Sequence, residues 1–319
     1  MAKGAGGARE VSSTGARTTL DPKLDIVFWM LFGAEQNREL LISLLNAVLK
    51  PTVPIESVEV LHAQPERASV DDKSIALDVR VRLTSGEQVD VEMQSQRRPA
   101  QRERALYYWA RLYAGQLQRG SPYADLQRCV VIMVTNFPEL PSQRFHSTFR
   151  VQEQHDAQPL TDHLELHLLE LPKLPEALDR NDEPNLLAWG KFLAAAADDD
   201  LEKLAMEHPV LKQAKDALDR LSADPEARLR AEQREMALLT YEAGLAKVRR
   251  EGKAEGKAEG KAEGKAEGKA ELLQELLALK FGELPPQAAQ RLATATEAEL
   301  RRWSERVLSA ESLDAVLDG

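Results

Sequence analysis

The chain has 319 residues, of which 43% are hydrophobic and 29% are charged, and its formal net charge is −10. This balance argues against a protein whose whole surface attracts nucleic acid, although the first 180 residues are nearly neutral and leave room for a local basic patch. With no run of 18 apolar residues and a single cysteine, Cys129, we expect no membrane-spanning helix, no internal disulfide and a cytoplasmic location.

The N-terminal segment predicts a disordered stretch followed by two helices. Residues 1–18 are rich in Gly, Ala, Ser and Thr and show no periodicity. A helix is predicted to start at the Asp21-Pro22 pair and to stop at Gly33, with Asp25 on the flank of its apolar stripe. A second amphipathic helix is predicted over residues 35–49.

Three strands are predicted next, and the last two form a hairpin. Residues 55–62 alternate well enough for a first strand. Residues 74–94 contain two alternating runs separated by Thr84-Ser85-Gly86-Glu87, which is typical of two antiparallel strands joined by a short turn.

The hairpin carries the residues that suggest chemistry. On its second strand Asp90, Glu92 and Gln94 share the face opposite Val89, Val91 and Met93. Asp78 lies on the first strand. Two carboxylates on adjacent strands, with a polar group two residues on, suit a hard divalent cation. The same spacing also fits an ordinary hairpin with one solvated face.

A helix predicted over residues 100–120 follows the hairpin. Its inward face is predicted to contain Leu106, Trp109, Ala110, Tyr113 and Leu117. Tyr107 and Tyr108 fall in the same amphipathic helix, where a core role is favoured over base stacking. Arginines around the start of the helix suit either phosphate contacts or a solvated helix face: Arg97, Arg98, Arg102, Arg104 and Arg111.

Two further strands are predicted beyond this helix. Residues 129–134 form a continuous apolar run that indicates a strand buried on both faces, with Cys129 as a core residue. A second run, over residues 164–171, indicates one more strand. The six histidines lack convincing ligand spacing, so we expect no zinc site.

The C-terminal half is predicted to be helical. Residues 184–242 have helical periodicity, and residues 272–319 form a second compact helical piece. Between them, residues 252–271 are five copies of Gly-Lys-Ala-Glu, which place like charges at i, i+4 and repeat a helix-weakening glycine. We therefore expect a solvated linker there, helical only transiently or where packing or self-association supports it.

Several motifs together resemble a known family. They include Asp25-x-x-Phe28-x-x-Leu31-Phe32-Gly33, Asp78-x-Arg80, Val91-Glu92-Met93-Gln94, Tyr107-Tyr108-Trp109 and Asn136-Phe137. They resemble the recombination-promoting nuclease and transposase family, part of the PD-(D/E)XK nuclease superfamily. The resemblance covers about residues 19–140, and the predicted order of helices and strands agrees with that superfamily's αβββαβ core.

The resemblance implies an α/β fold and an activity. It implies a restriction-endonuclease-like core with a mixed sheet, an all-helical C-terminal extension, and metal-dependent cleavage of DNA linked to recombination or mobile elements. Asp78, Glu92 and the Met93 carbonyl would bind Mg²⁺ or Mn²⁺, and Gln94 would replace the superfamily's lysine. Asp25 would be a further catalytic residue, and Arg97, Arg98 and Arg102 would contact phosphates.

The expected organisation has five parts, and one departure leaves an alternative open. The parts are a disordered N-terminus (1–18), a nuclease-like domain (19–180), a helical extension (181–251), the repeat linker (252–271) and a small helical domain (272–319). The family commonly has lysine where this chain has Trp29. The alternative is therefore a catalytically weak or inactive nuclease-fold module that binds DNA or protein and assembles into a homo-oligomer through its helical C-terminal half.

Overall fold

A mixed six-stranded sheet forms the centre of the fold. The computed structural model describes residues 17–61, 79–175 and 183–318. The strands are β1 (Val58–Val60), β2 (Val79–Leu83), β3 (Gln88–Gln94), β4 (Cys129–Thr135), β5 (His146–Arg150) and β6 (Leu164–Glu170). They lie in the order β1-β2-β3-β4-β6-β5.

The predicted hairpin is confirmed where the structure describes it. β2 and β3 pair antiparallel, with Arg80 opposite Asp90. Gly86 adopts a φ of 92° in the turn, a conformation that glycine reaches without the steric cost of a side chain. Asp78, with the rest of residues 62–78, lies outside the described residues.

The centre of the sheet is parallel and buried. β3 pairs with β4 and β4 pairs with β6, both in parallel. All seven residues of β4 are buried, as the apolar run predicts. Burial raises the pKa of the Cys129 thiol to about 12, so the thiol stays protonated at neutral pH, in keeping with a core residue.

Helices lie against the sheet and against one another. They are α1 (Asp25–Phe32), α2 (Arg38–Leu49), α3 (Gln101–Ala114), α4 (Pro184–Ala194), α5 (Asp198–Glu207) and α6 (Pro209–Ala223). Phe28 of α1, Leu41 of α2 and Trp189 of α4 belong to one core with Val91 of β3. Because Val89, Val91 and Met93 face this core, the opposite face of β3 is left for α3.

The C-terminal helices begin with α7 (Pro225–Phe281), which runs as one helix through the whole Gly-Lys-Ala-Glu repeat. The repeat is thus helical, which is one of the states that its sequence left open. Ala, Lys and Glu are strong helix formers, and a helix already nucleated on either side adds residues without a new nucleation cost. The remaining helices are α8 (Pro286–Ala293), α9 (Glu297–Arg306) and α10 (Leu313–Leu317).

The chain divides into two compact units, residues 1–237 and 238–319. The second unit has its own core, in which Leu273 and Leu277 of α7 meet Leu292, Leu300 and Trp303. Its α9 begins with a capping box between Thr296 and Glu299. Within the described ranges, no helix is both long and apolar enough to cross a membrane.

In the middle of the chain one strand was not predicted and one helix face differs from the prediction. β5 was not predicted, because its exposed, mostly polar residues give no buried pattern. On α3, Leu106 is 49% exposed and Ala110 is also exposed, whereas Gln101 and Leu112 are buried. The inward face of α3 therefore includes the polar Gln101, which the apolar spacing does not predict.

Candidate active site

The polar face of β3 is buried and does not face solvent. Asp90 is fully buried and Glu92 is 2% exposed. The spacing alone favoured a hairpin with one wet face, and this expectation is wrong because α3 packs on that face. An unpaired charge is costly in such a setting, so both carboxylates need compensating partners.

Glu92 is joined to two side-chain amides. Gln94 Nε2 donates a hydrogen bond of 2.8 Å to Glu92 Oε2. Gln101 Nε2, from the first turn of α3, lies 3.5 Å from Gln94 Oε1. The sheet and the helix therefore place a carboxylate and two amides in one row. Of the sequence-predicted residues, Glu92 and Gln94 are brought together as expected.

Gln101 was missed as a member of this cluster, and Asp90, which lies on the same face of β3, was not singled out as a site residue. Gln101 is 2% exposed, and among the described residues its Oε1 has no hydrogen-bond partner. Its position just after the Glu92-Met93-Gln94 strand end was the available signal, because the first turn of the next helix returns over that strand. Asp90 lies 3.7 Å from Arg80 Nε on the neighbouring strand. This cross-strand pairing follows from the register.

Asp25 is bound by the helical extension. Its carboxylate accepts hydrogen bonds from two nitrogens of Arg234 on α7, one of them Nε at 2.9 Å, and from the Ile26 amide at 2.8 Å. The side chains of Asp25 and Arg234 are only 14% and 17% exposed. A bidentate guanidinium–carboxylate pair of this kind fixes both groups in orientation. The first turns of α7 are thus part of the unit that holds the sheet.

Basic side chains surround the end of β3. Arg97 lies 3.3 Å from Glu139, and Arg102 Nε lies 3.0 Å from the same carboxylate. Both arginines remain more than half exposed, and Arg98 is half-buried in the same turn. Arg104 contacts the Tyr108 ring and hydroxyl. Arg97 and Arg102 are therefore able to meet a phosphate while Glu139 restrains them.

The aromatic residues of α3 differ in their environment. Trp109 Nε1 donates to the Cys129 carbonyl over 3.1 Å, and the Trp109 ring stacks on Tyr113. These contacts anchor the helix to β4, as expected for a core role. Tyr107 is 59% exposed, so the expectation that it lies in the core is wrong.

The donor chemistry fits a hard divalent cation only in part within the described residues. Glu92 offers carboxylate oxygens and Met93 a neighbouring backbone carbonyl, the ligand types that Mg²⁺ prefers. The described ranges contain no group of three or more His, Cys, Asp or Glu side chains placed to hold a metal ion. A second carboxylate from Asp78 would come from outside those ranges.

A separate polar chain lies at the far edge of the sheet. His146 Nε2 and His167 Nδ1 are 2.8 Å apart, and His167 Nε2 is 2.7 Å from Glu165 Oε1. Arg128 and Arg150 also bind Glu165, at 2.9 and 2.6 Å. The carboxylate is thus neutralised on several sides, which suits a structural ion-pair network.

Comparison with known proteins gives one family match. A family model described as PD-(D/E)XK nuclease family transposase matches residues 22–247. Neither the curated proteins nor the solved structures gave a match. The matched segment begins just before Asp25 and ends on α7 beyond Arg234, so it includes both members of that ion pair.

Proposed function

Since the chain belongs to the family of PD-(D/E)XK nuclease transposases, we propose that it is a metal-dependent endonuclease that hydrolyses phosphodiester bonds of DNA in recombination or in the movement of mobile elements. The observation that carries this proposal is the buried Glu92, hydrogen-bonded to Gln94 at the end of β3. A buried carboxylate held in one orientation is suited to binding a cation.

The proposed site uses Asp78, Glu92 and the Met93 carbonyl to hold Mg²⁺ or Mn²⁺. When bound, the metal would polarise the scissile phosphate and lower the pKa of a water molecule. Gln94 fixes the Glu92 carboxylate through one N–H and has a second N–H for a water or a phosphate oxygen. Because its amide is uncharged, Gln94 orients these groups and leaves the neutralisation of charge to the metal.

Other residues have supporting roles in the proposal. Arg97, Arg98 and Arg102 contact the phosphates on either side of the cleaved bond. Asp25 is a further catalytic residue, and Arg234 keeps its carboxylate in place. DNA is the partner in this reaction, which we place in the cytoplasm.

A plasmid assay tests the proposal. Supercoiled DNA is incubated with the full chain and either Mg²⁺ or EDTA, and nicked and linear products are measured. We expect cleavage with Mg²⁺, none with EDTA, and none by Glu92→Gln. Glu56→Gln, at an exposed position before β1, is the matched control and retains wild-type activity. Metal-independent cleavage, or cleavage by Glu92→Gln at the wild-type rate, would overturn the assignment.

Trp29 is the observation that favours a second candidate, a nuclease-fold module that binds DNA or protein without cleaving it. Trp29 is half-buried and packs against the core, at a position where the family resemblance leads us to expect lysine. A calorimetric titration with Mg²⁺ and Mn²⁺ separates the candidates. No heat of metal binding, together with DNA binding that survives EDTA, supports the module. Light scattering of the full chain tests whether it also forms a homo-oligomer.

A further inference from the structure

A cavity of about 370 Å³ lies between α3 and the β4–β6–β5 half of the sheet. Its floor is apolar and is made by Met133 of β4 with Leu166 and Leu168 of β6. Ala105 and Leu106 of α3 form one wall. Small-molecule sites begin at roughly this size and are mostly apolar with a few polar groups.

The cavity begins beside the candidate metal ligand. Glu92, Met133 and Leu168 are register partners across three adjacent strands, so their side chains share one face of the sheet. Neighbouring strands are about 4.8 Å apart, which places the floor one to two strand spacings from Glu92. Gln101 lines the same cavity and also reaches Gln94. A group bound here would therefore adjoin the cleaved phosphate.

The rim and walls are suited to a nucleotide. Phe149 on the edge strand lines the cavity and is 45% exposed, so its ring is accessible to a flat partner. Arg102 stands at the rim, where it is paired with Glu139 and 57% of its side chain is exposed. Gln101 Oε1 is a buried acceptor with no hydrogen-bond partner in the described part of the chain.

We propose that this cavity receives one unstacked nucleobase of the DNA strand, next to the phosphate at Glu92. The inference rests on the proposed nuclease function and adds how the strand is held. An aromatic ring, an apolar floor and an amide acceptor match the flat face and the exocyclic amino group of a base. Arg102 at the rim matches a flanking phosphate, which a purely apolar ligand lacks.

Fluorescence of 2-aminopurine tests the cavity. A single-stranded oligonucleotide containing this base is titrated with the full chain carrying Glu92→Gln, which prevents cleavage. We expect the fluorescence to rise as the base leaves the stack. Adding Ala105→Trp, which fills the cavity, abolishes the rise. The matched control is Ala110→Trp, an exposed position on the same helix outside the cavity, and it leaves the rise unchanged.

Phe149→Ala provides a second variant at an exposed position on the edge strand, where truncation spares the core. We expect it to weaken binding of the oligonucleotide about 5- to 100-fold, the size of one base–aromatic stack. An unchanged fluorescence rise in both Ala105→Trp and Phe149→Ala overturns the proposal that the cavity binds a base. A wild-type chain that does not bind the oligonucleotide overturns it as well.

The plasmid assay keeps the two proposals distinguishable. If wild type cleaves with Mg²⁺ while the cavity variants bind the oligonucleotide normally, the nuclease assignment stands and the base site is wrong. If the fluorescence depends on Ala105 and Phe149 but no plasmid is cleaved, the base site stands and the nuclease assignment fails.

Discussion

Gln94 donates a hydrogen bond of 2.8 Å from its side-chain amide to Glu92 Oε2, two residues earlier on the same strand. Residues two apart on a strand share a face, so the contact needs no change in the backbone. Gln101 reaches the other end of the same amide. The rotamer of Gln94 is thereby restrained from both sides, which is the arrangement expected of a residue that positions a neighbour.

Gln94→Leu tests this positioning. Leucine keeps the approximate volume but removes both amide groups, so Glu92 loses its restraint and the proposed water or phosphate contact disappears. We expect the rate of Mg²⁺-dependent plasmid nicking to fall about 100- to 1000-fold, the usual cost of one oriented donor. Initial rates at saturating Mg²⁺ measure the effect.

The control for this variant lies on the same strand. Gln88→Leu changes a half-buried glutamine six residues earlier, at the opposite end of β3, and is expected to nick at the wild-type rate. An equal loss of nicking rate in Gln88→Leu and Gln94→Leu would mean that β3 was disturbed as a whole. An unchanged rate in Gln94→Leu would remove Gln94 from the mechanism.

Arg234→Met is expected to destabilise the chain. The change leaves the Asp25 carboxylate largely buried without its guanidinium partner, at a cost of about 2 kcal/mol, because both groups retain some exposure. Thermal unfolding followed by circular dichroism measures it. Arg230→Met, which removes an arginine whose side chain is 51% exposed in its pair with Glu226, serves as the control and changes stability little.

Asp25→Asn separates a structural role from a catalytic one. If Asp25 only anchors α7, Asp25→Asn and Arg234→Met lower the melting temperature together and nick plasmid equally well far below that temperature. If Asp25 is catalytic, Asp25→Asn loses more of its nicking activity than Arg234→Met does. Equal nicking by the two variants would contradict the catalytic role.

The candidate site could be predicted from sequence only along one strand. Glu92 and Gln94 follow from alternation and from the family resemblance, and they lie together as expected. Gln101 follows from neither; its place just after the end of β3 was the only signal, because the packing of α3 is what brings its amide to β3. For the same reason Asp90 looked solvated. Alternation places residues on a face but does not say what covers that face.

The fold, like the site, could be predicted from the sequence only in part. The uninterrupted apolar run at 129–134 predicted the buried strand β4, because such a run fits neither an exposed strand nor an amphipathic helix. The residues of the edge strand β5 have no apolar pattern, so they do not predict a strand by themselves. Pairing with β6 is what makes this segment a strand. One helix continues through the repeat, whereas the spacing rule considered the repeat without the helical residues on either side of it.

His146 makes stability depend on pH. Burial, the adjacent His167 and the charge of Lys50 lower the pKa of His146 to about 4. The unfolded chain, with an ordinary histidine pKa near 6.5, binds this proton more readily. Stability that is present above pH 6.5 is therefore lost as the pH falls towards 4.

The measurement is the melting temperature at pH 7.5 and at pH 5. We expect a smaller drop between the two values in His146→Gln than in wild type, because the variant has no proton to take up at this position. His155→Gln, at an exposed histidine in the loop after β5, is expected to show the same drop in melting temperature as wild type. If the melting temperature of His146→Gln falls between pH 7.5 and pH 5 as much as that of wild type, other groups govern the acid sensitivity.

Gly190 allows α4 to pack closely on the end of the sheet. A Cβ at this position would lie 2.6 Å from Leu174 Cδ2 and 2.7 Å from Phe145 Cζ. Gly190→Ala therefore forces the core apart and is expected to cost about 1–3 kcal/mol in the free energy of unfolding, although alanine is the better helix former. Urea unfolding followed by tryptophan fluorescence suits the test because Trp189 is adjacent.

Gly244→Ala on α7, where a Cβ meets no atom of the described chain within 4 Å, is the matched control and stabilises by about 0.5–1 kcal/mol. If Gly190→Ala were as stabilising as Gly244→Ala, the close packing of α4 would be wrong.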